Sequence, residues 1–288
     1  MAAHKPDLCA VYYSLIRMDW MKGKTVLVTG STDGIGKQTA LELARMGAHV
    51  LIHGRDAGRV LVTVNEIADE TGASVDGLTG DFASLDQVRR LAAEVASKTG
   101  RLDVLVNNAG SFFDERRLTG DGFEMSWQIN HLSPYLLTVL LLDKLKKSAP
   151  ARVVTVASSA HAHARLDYKN LQGEKEYKGT RAYSLSKLGN VMATLYLAER
   201  YAASGVTFNC LHPGVVETKL LRASFKVPGI DLETGAKTSV YLACSTGVEG
   251  VTGKYFDECK EIQPSPLALD AAERQRFMDV TDKMLGLV

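Results

Sequence analysis

Short aliphatic runs alternate with amphipathic stretches of helical length from Lys24 almost to the end of the chain. The runs are rich in Val, Leu and Ile and lack regular polar alternation, which is typical of strands that are buried on both faces. Regular alternation of such strands with helices predicts a parallel sheet that is covered by helices on both sides. The predicted strands are residues 25–29, 49–53, 74–78, 104–107, 152–157, 207–211 and 254–256, and the predicted helices are residues 37–46, 60–70, 85–98, 122–147, 183–201 and 234–244.

No internal repeat, low-complexity tract or linker interrupts this alternation, and 288 residues suit one large α/β domain. Hydrophobic residues make up 45% of the chain and charged residues 23%, which is enough apolar material for a sizeable core. We therefore predict a single doubly wound α/β domain over residues 22–288, preceded by an amino-terminal extension over residues 1–21. Ligands of such folds bind beyond the carboxyl ends of the strands, so the residues that follow each strand are the candidates for a site.

Charge and cysteine content exclude several classes of function. The formal net charge is +1 and the basic residues are scattered, so neither nucleic acid nor an anionic membrane is an expected partner. The four cysteines lie far apart without a CxxC pair, which indicates a reducing compartment and predicts a cytoplasmic location. His161 and His163 lack a third ligand nearby in the sequence, so no metal site is predicted.

The amino-terminal segment contains an apolar run over residues 8–16. This run is only nine residues long, whereas about 20 are needed to span a bilayer, and no small-residue cleavage signal follows it. We therefore expect neither a transmembrane segment nor a secretory signal here. A helix lying on the surface and a disordered tail stay open as expectations, and so does an over-extended gene start, because Met18 and Met21 lie just before the first strand.

The first predicted strand leads through the sequence TGSTDGIG, residues 29–36, directly into a helix. Glycines in such a turn let the backbone approach a phosphate closely, and the start of the helix supplies free amide donors. A purely structural turn is the alternative, but a position between a buried strand and a helix is the context that dinucleotide binding requires. The residues of this turn that we predict to bind a cofactor are Gly30, Ser31, Asp33, Gly34, Ile35 and Gly36.

The end of the second strand bears on which dinucleotide binds. An acidic side chain at this tip holds the ribose 2′-hydroxyl of NAD, whereas an arginine accommodates the 2′-phosphate of NADP. Here the strand is followed by Gly54, Arg55 and Asp56. Arg55 lies nearer to the strand end and Asp56 is well placed to cap the next helix, so we predict NADP(H). Asp56 stays open as a ribose ligand, because its distance from Gly36 also fits.

Polar and small residues follow the third and fourth strands as well. Asp81 and Phe82 come after the third strand, where a carboxylate could bind an adenine amino group; capping of the next helix is the alternative, for which Ser84 is better placed. The fourth strand leads into paired asparagines and two small residues, which would let the backbone run close beneath a cofactor. The cofactor residues predicted here are Asn108, Ala109 and Gly110.

The fifth strand ends at Ser158 and Ser159, and a later helix carries Tyr183 and Lys187. Residues four apart lie on the same face of a helix. A free tyrosine titrates near pH 10, and a neighbouring ammonium favours the phenolate, so Lys187 is expected to lower the pKa of Tyr183 toward the working range of an acid–base catalyst. Such a pair is common by chance, and a structural role is the alternative.

Taken together, these motifs closely resemble the short-chain dehydrogenase/reductase family, whose members have a Rossmann-type fold. TGSTDGIG matches the cofactor turn of that family, NNAG its fourth-strand motif and YSLSK its YxxxK motif. Asn130 matches the asparagine of its Asn-Ser-Tyr-Lys tetrad. The segment that begins HPG matches the one that holds the nicotinamide carboxamide, which implies roles in cofactor binding for Pro213, Gly214, Val216 and Thr218.

Within that family the chain is most similar to the retinol-dehydrogenase-like branch, which generally prefers NADP(H). The resemblance implies that Tyr183 exchanges a proton with the substrate, that Lys187 lowers its pKa and binds the nicotinamide ribose, and that Ser159 polarises the substrate oxygen. The second serine of the pair usually acts in this family, hence Ser159 rather than Ser158. Asn130 would position a water that links Lys187 to solvent. Many retinoid-active members carry an amino-terminal membrane helix, which this sequence does not show.

The resemblance implies a small-molecule carbonyl or alcohol as substrate, and a homodimer formed through the two longest helices. Two other readings stay open. The chain is an NAD-linked dehydrogenase of the same fold if Asp56 meets the ribose. Alternatively, it is a sensor that binds NADP(H) without catalysis, although a sensor has no need of the complete set Asn130, Ser159, Tyr183 and Lys187.

Overall fold

The computed structural model describes residues 21–224 and 228–288, and the apolar run 8–16 lies outside them. Within these ranges the strands form one sheet in the order β3-β2-β1-β4-β5-β6-β7-β8. All neighbouring strands are parallel except β7 and β8, which are antiparallel. The strands are β1 (Thr25–Val28), β2 (His49–Gly54), β3 (Val75–Thr79), β4 (Val104–Asn107), β5 (Ala151–Val156), β6 (Val206–His212), β7 (Lys254–Asp257) and β8 (Lys260–Ile262).

Helices pack on both faces of this sheet. The longer ones are α1 (Gly34–Arg45), α2 (Ala57–Thr71), α3 (Leu85–Lys98), α4 (Ser133–Lys147), α5 (Gly179–Arg200), α6 (Lys219–Ser224), α7 (Leu232–Cys244) and α8 (Ala271–Leu285). Shorter helical turns occur at Met125–Trp127, Gln128–Leu132, Ser159–His163, Thr246–Val248 and Pro266–Leu269. No helix in the described ranges is both long enough and apolar enough to cross a membrane.

The burial of the central strands explains why they lack polar alternation. Successive residues of a strand point to opposite faces of a sheet. Leu27 therefore packs into the apolar cluster on one face, whereas Val26 and Val28 pack into the cluster on the other. All three side chains are fully buried. The predicted doubly wound α/β fold is confirmed, and each predicted strand is present to within one or two residues.

The last helix, α8, was not predicted, although the sequence carries signals for both of its ends. Asp270 caps its start by accepting hydrogen bonds from the backbone N–H groups of Ala272 and Glu273, and Gly286 ends it in the left-handed conformation. α8 covers α5, whose residues 183–198 are all buried. α5 is therefore buried within its own chain, and the homodimer stays a prediction.

Candidate active site

The loops at the carboxyl ends of the strands surround one cleft of about 1280 Å³. This is where doubly wound sheets bind their ligands. Two residues of the predicted site, Ser31 and Asn130, do not line the cleft but support its walls. All the others line it: Gly30, Asp33, Gly34, Ile35, Gly36, Arg55, Asp81, Phe82, Asn108, Ala109, Gly110, Ser159, Tyr183, Lys187, Pro213, Gly214, Val216 and Thr218.

The glycine turn between β1 and α1 packs so tightly that only glycine fits at two positions. Gly30 has a φ of +64°, and a Cβ there would lie 2.8 Å from the Cα of Ala109. A Cβ on Gly36 would lie 2.3 Å from Asn108 Nδ2. Asn108 donates from Nδ2 to the carbonyl of Thr29 at 2.8 Å, so the fourth-strand loop holds this turn in place. The result is a backbone cradle at the start of a helix, which suits a phosphate group.

Ser31 and His53 hold this turn from behind. The buried hydroxyl of Ser31 donates to the carbonyl of Val28 at 2.7 Å and accepts from the backbone N–H of His53 at 3.0 Å. The His53 ring accepts from the N–H of Gly30 at Nδ1 (3.2 Å) and donates from Nε2 to the carbonyl of Gly80 (3.0 Å). Burial lowers the pKa of His53 to about 4, so at neutral pH the ring keeps the neutral form that the Nδ1 acceptor requires. This role of His53 was not predicted from the sequence.

The tip of β2 presents an arginine to the cleft, and the position before it is a closely packed glycine. A Cβ on Gly54 would lie 2.6 Å from the side chain of Thr32, so any larger residue at this position would require that side chain to shift. Arg55 is exposed and lines the cleft, whereas Asp56 does not. Asp56 caps α2 by accepting from the N–H of Arg59 at 2.9 Å, as predicted.

Two cations that the sequence analysis missed, Arg59 and Lys219, also line the cleft. Arg59 Nη2 lies 3.2 Å from Asp33 Oδ2 and 3.3 Å from the carbonyl oxygen of Thr32. Lys219 Nζ lies 2.5 Å from the same carboxylate oxygen. The hydrogen bond from Lys219 is the main reason that the pKa of Asp33 is below its usual value. The available sequence signal for Arg59 was its position four residues after Arg55, in the first turn of α2.

On the third-strand side, Asp81 Oδ1 accepts from the backbone N–H of Ala83 at 2.9 Å, and the carboxylate faces the cleft. Ser84 caps α3 by accepting from the N–H of Gln87, as predicted. Asp81 is therefore not needed as the helix cap.

Tyr183 and Lys187 both line the opposite part of the cleft and are buried. Burial raises the pKa of Tyr183 to about 12, although a hydrogen bond with the Ser158 hydroxyl opposes this rise. Lys187 Nζ donates to the carbonyl of Val156 at 2.8 Å and lies 5.6 Å from the centre of the Tyr183 ring. The lowered tyrosine pKa that was expected from Lys187 is thus not seen here, because burial dominates and the ammonium bonds to the end of β5. Burial also lowers the pKa of Lys187, to about 8.

The two serines after β5 have different surroundings. Ser158 is half-buried; its hydroxyl accepts from the N–H of Ala160 at 3.2 Å and hydrogen-bonds to Tyr183. Ser159 is exposed at the start of the helical turn and faces the cleft. His161 fixes this segment, since its Nδ1 donates to the Ser158 carbonyl at 2.7 Å and its Nε2 accepts from the N–H of Ser265 at 3.0 Å. His161 thus has a structural role on both ring nitrogens.

Asn130 sits in the π-helical turn Gln128–Leu132 that precedes α4. Its side chain forms two hydrogen bonds with the backbone of Ser111: Oδ1 accepts from the N–H at 2.7 Å, and Nδ2 donates to the carbonyl at 2.9 Å. Nδ2 also donates to Ser186 Oγ at 3.0 Å. A Cβ on Gly110 would lie 3.4 Å from Asn130 Oδ1 and 3.5 Å from Lys187 Nζ. Asn130 therefore ties the fourth-strand loop to α5 directly beside Lys187, and π turns of this kind are frequent at functional sites.

The segment after β6 closes one side of the cleft. Gly214 has a φ of +86°, which favours glycine, and Val216 forms a β-bridge with Ile230. A Cβ on Gly34 would lie 3.6 Å from the side chain of Thr218. The segment therefore runs from the end of the cleft that carries Tyr183 to the glycine turn, which is the course needed to contact a dinucleotide along its length.

The cleft thus combines a phosphate cradle at one end with a phenol, an ammonium and two hydroxyls at the other. These residues fit a nicotinamide dinucleotide, because the glycine turn lets a phosphate group lie directly against the peptide backbone. The Tyr183 phenol can give a proton to an oxygen or take one from it, and a serine hydroxyl can donate a hydrogen bond to the same oxygen.

Comparison with known proteins agrees with this geometry. The family model described as short chain dehydrogenase matches residues 24–228. The chain is 42% identical to retinol dehydrogenase 14 of Mus musculus, covering 93% of this chain and 87% of that protein. It is 40% identical to retinol dehydrogenase 13 of Homo sapiens, covering 92% and 85%.

Solved structures show the same fold. An uncharacterised protein from Mycobacterium paratuberculosis superposes with a TM-score of 0.78 at 30% identity, covering 92% of this chain and 94% of that one. A short chain dehydrogenase of Escherichia coli CFT073 in complex with NADPH superposes with a TM-score of 0.70 at 25% identity, covering 85% and 100%. The chain belongs to the short-chain dehydrogenase family, and it is a retinol-dehydrogenase-like oxidoreductase that acts on CH–OH groups.

Proposed function

We propose that this protein is an NADP(H)-dependent oxidoreductase that interconverts a carbonyl and an alcohol on a small molecule, with Tyr183 as the acid–base. The observation that carries the proposal is the shared cleft. A glycine cradle and Arg55 lie at one end, and the buried Tyr183 lies at the other with Lys187 and the serine pair beside it. Because similar proteins are named retinol dehydrogenases, retinol is among the first compounds to assay.

The choice of NADP(H) is supported by the tip of β2. Arg55 is available to a 2′-phosphate, Gly54 carries no carboxylate and is packed against the Thr32 side chain, and Asp56 is engaged as the cap of α2. An NAD-linked enzyme of this fold would place an acid against the ribose hydroxyls, and Asp56 points to its own helix instead. NADP-bound structural relatives, such as the Escherichia coli protein, point the same way.

For the chemistry, bound NADPH supplies a hydride to the substrate carbon or, as NADP⁺, accepts one. Tyr183 gives the substrate oxygen its proton, and its raised pKa keeps the phenol protonated at neutral pH. That protonation state favours reduction of a carbonyl. Ser159, exposed in the cleft, donates a hydrogen bond to the substrate oxygen, and Ser158 orients the phenol. Lys187 supplies positive charge and holds the nicotinamide ribose, and Asn130 positions the loop and a water beside Lys187.

Carbonyl reduction is expected to depend on pH through Lys187. Its pKa of about 8 means that the ammonium is present below this value and is lost as the pH rises through it. We therefore expect kcat/KM for reduction, at saturating NADPH, to be level on the acid side of about pH 8 and to fall above it. Lys187→Arg should move the fall to higher pH, because a guanidinium stays charged. A profile that rises through pH 8 would contradict the role given to Lys187.

Cofactor choice is tested by titrating NADPH and NADH against the protein and following nicotinamide fluorescence. A charge-assisted contact with phosphate is worth about 1.5–3 kcal/mol, so NADPH should bind about ten- to a hundredfold more tightly, and Arg55→Ala should remove most of that preference. Arg90→Ala is a matched control, since Arg90 is an exposed arginine on α3 that does not line the cleft. Equal affinities for the two cofactors in the wild type would contradict the choice of NADP(H).

A further inference from the structure

We infer that the substrate of this enzyme carries an anionic oxyacid group, a carboxylate or a phosphate ester, which Arg165 and Arg181 bind at the end of the cleft that holds Tyr183. This inference rests on the proposed oxidoreductase function and narrows its substrate from any small carbonyl compound or alcohol to an acidic one. The anionic group takes no part in the hydride and proton transfers. It orients the molecule that undergoes them.

The first support is the place of Arg181 on α5. Residues 180, 183, 184 and 187 all line the cleft and have the spacing of one helix face, so this face of α5 forms the wall that carries Tyr183. Arg181 also lines the cleft and is half-buried, one helical turn before Ser184. Because Arg181 precedes Tyr183 by only two residues, its guanidinium belongs to the end of the cleft where the substrate oxygen must lie.

The second support is Arg165, which comes shortly after the serine pair. The helical turn that begins at Ser159 ends at His163, and the chain continues from Ala164 in an extended conformation. Ala164 and Leu166 pack against the apolar core, whereas Arg165 between them is exposed and lines the cleft. Alternate residues of an extended segment point to opposite sides, so the packing of its two neighbours turns Arg165 toward the cleft.

The segment that joins the two arginines, residues 167–181, is anchored near both of its ends. Tyr168 donates a hydrogen bond to Glu273 of α8 at 3.2 Å. Tyr177 donates to the carbonyl of Phe113 at 2.9 Å. The two guanidinium groups are therefore attached to a held wall of the cleft and not to the tip of a free loop, which lowers the entropy that is lost when they bind a ligand.

The third support is the balance of charge along this wall. Two other cations that line the cleft have carboxylate partners there: Lys178 Nζ lies 3.5 Å from Glu176 Oε1, and Arg222 Nε lies 2.6 Å from Glu217 Oε1. These pairs cancel in charge. They leave the wall positive by whatever further cations it carries.

Arg165 and Arg181 are such cations. Within residues 21–224 and 228–288, no protein group forms an ion pair or a hydrogen bond with either guanidinium. A neutral, apolar substrate would cover the half-buried Arg181 without giving it a partner, which is unfavourable. An anionic oxyacid group supplies that partner, since a guanidinium binds carboxylate and phosphate oxygens through two parallel hydrogen bonds.

The test compares the reduction of 4-formylbenzoate with that of its methyl ester, because the two aldehydes differ in charge but little in shape. We expect kcat/KM to be about ten- to a hundredfold higher for the acid, as for other charge-assisted contacts. The ester group withdraws electrons more strongly and makes its aldehyde the more reactive toward hydride, so a preference for the acid must come from the protein. A third aldehyde, 4-formylphenyl phosphate, distinguishes the two anions: the faster of the two anionic substrates identifies the group that the site prefers.

Variants of the two arginines show whether they cause this preference. Arg165→Gln and Arg181→Gln should each lower the preference for the acid over the ester several-fold, and the double variant should abolish it. Arg181→Lys, which keeps the charge, should retain part of it. Arg90→Gln is the control, since Arg90 lies on α3 outside the cleft, and it should keep the preference of the wild type. The affinity for NADPH should be the same in all of them, which separates this site from cofactor binding.

Binding is measured beside turnover, by calorimetry of 4-(hydroxymethyl)benzoate and its methyl ester on protein saturated with NADP⁺. Tighter binding of the acid that the double variant loses, without turnover of any aldehyde, would leave the anion site standing and contradict the proposed function. If the wild type reduces the ester as fast as the acid or faster, this inference is overturned and the proposed function stands. A preference for the acid that persists in the double variant would overturn it as well.

Discussion

Replacing Tyr183 by phenylalanine should lower turnover by about 10²–10⁴-fold, which is the usual contribution of general acid–base catalysis. The change removes only the hydroxyl, and the buried ring and its edge-on contact with Phe112, with centres 5.9 Å apart, are kept. The fold and the affinity for NADPH should therefore be unchanged. The measurement is the initial rate of NADPH oxidation with a carbonyl substrate that the wild type reduces, together with the dissociation constant of NADPH.

Tyr201→Phe is the matched control, because Tyr201 lies at the far end of the same helix and does not line the cleft. It should react at the rate of the wild type. Near-normal turnover in Tyr183→Phe would remove Tyr183 as the proton donor and revive the view that the protein binds NADP(H) without catalysis.

Replacing Phe277 by alanine should lower the free energy of unfolding by about 3–5 kcal/mol, as is typical for a large buried aromatic. Phe277 is 1% exposed and lies on α8, the helix that covers α5. Its ring packs edge-on against Trp127, with centres 5.5 Å apart, and 5.3 Å from the ring of His131. Both partners flank Asn130 in the chain, so the cavity would also loosen the turn that holds the loop beside Lys187.

Chemical denaturation of the wild type and the variant measures this loss as a shift of the midpoint at unchanged slope. Gln275→Ala on the exposed side of α8 is the control and should change stability by no more than about 0.5 kcal/mol. A loss below about 1 kcal/mol for Phe277→Ala would show that α8 is only loosely attached to the rest of the domain.

Most of the fold could be predicted from the sequence because its parallel strands are buried on both faces and separated by helices of ordinary length. The helix α8 was missed, although Asp270 and Gly286 mark its ends, because only Phe277, Met278 and a few other apolar residues mark its buried face. The π turn around Asn130 could not be predicted, since the residues before α4 continue a helical pattern and only tertiary contacts widen that turn.

The site was predicted at the positions where short motifs carry the chemistry. The sequence placed Tyr183 and Lys187 on one helix, but it did not show that Lys187 donates to the Val156 carbonyl or that burial raises the tyrosine pKa. Both depend on how β5 and α5 meet. The role of His53 could not be predicted, because its ring joins Gly30 to Gly80, which are 50 residues apart in the chain. The preference for NADP(H), the roles of the catalytic residues and a cytoplasmic location stay predictions.

Deuterium transfer tests the central claim most directly. The protein is incubated with a carbonyl substrate and NADPH that carries deuterium at C4 of the nicotinamide, in each of its two stereochemical forms, and the alcohol product is analysed by mass spectrometry. A direct transfer between cofactor and substrate, which this account predicts, places one deuterium on the carbinol carbon of the product with one of the two forms and none with the other. Alcohol that forms without deuterium from either labelled cofactor would contradict the account.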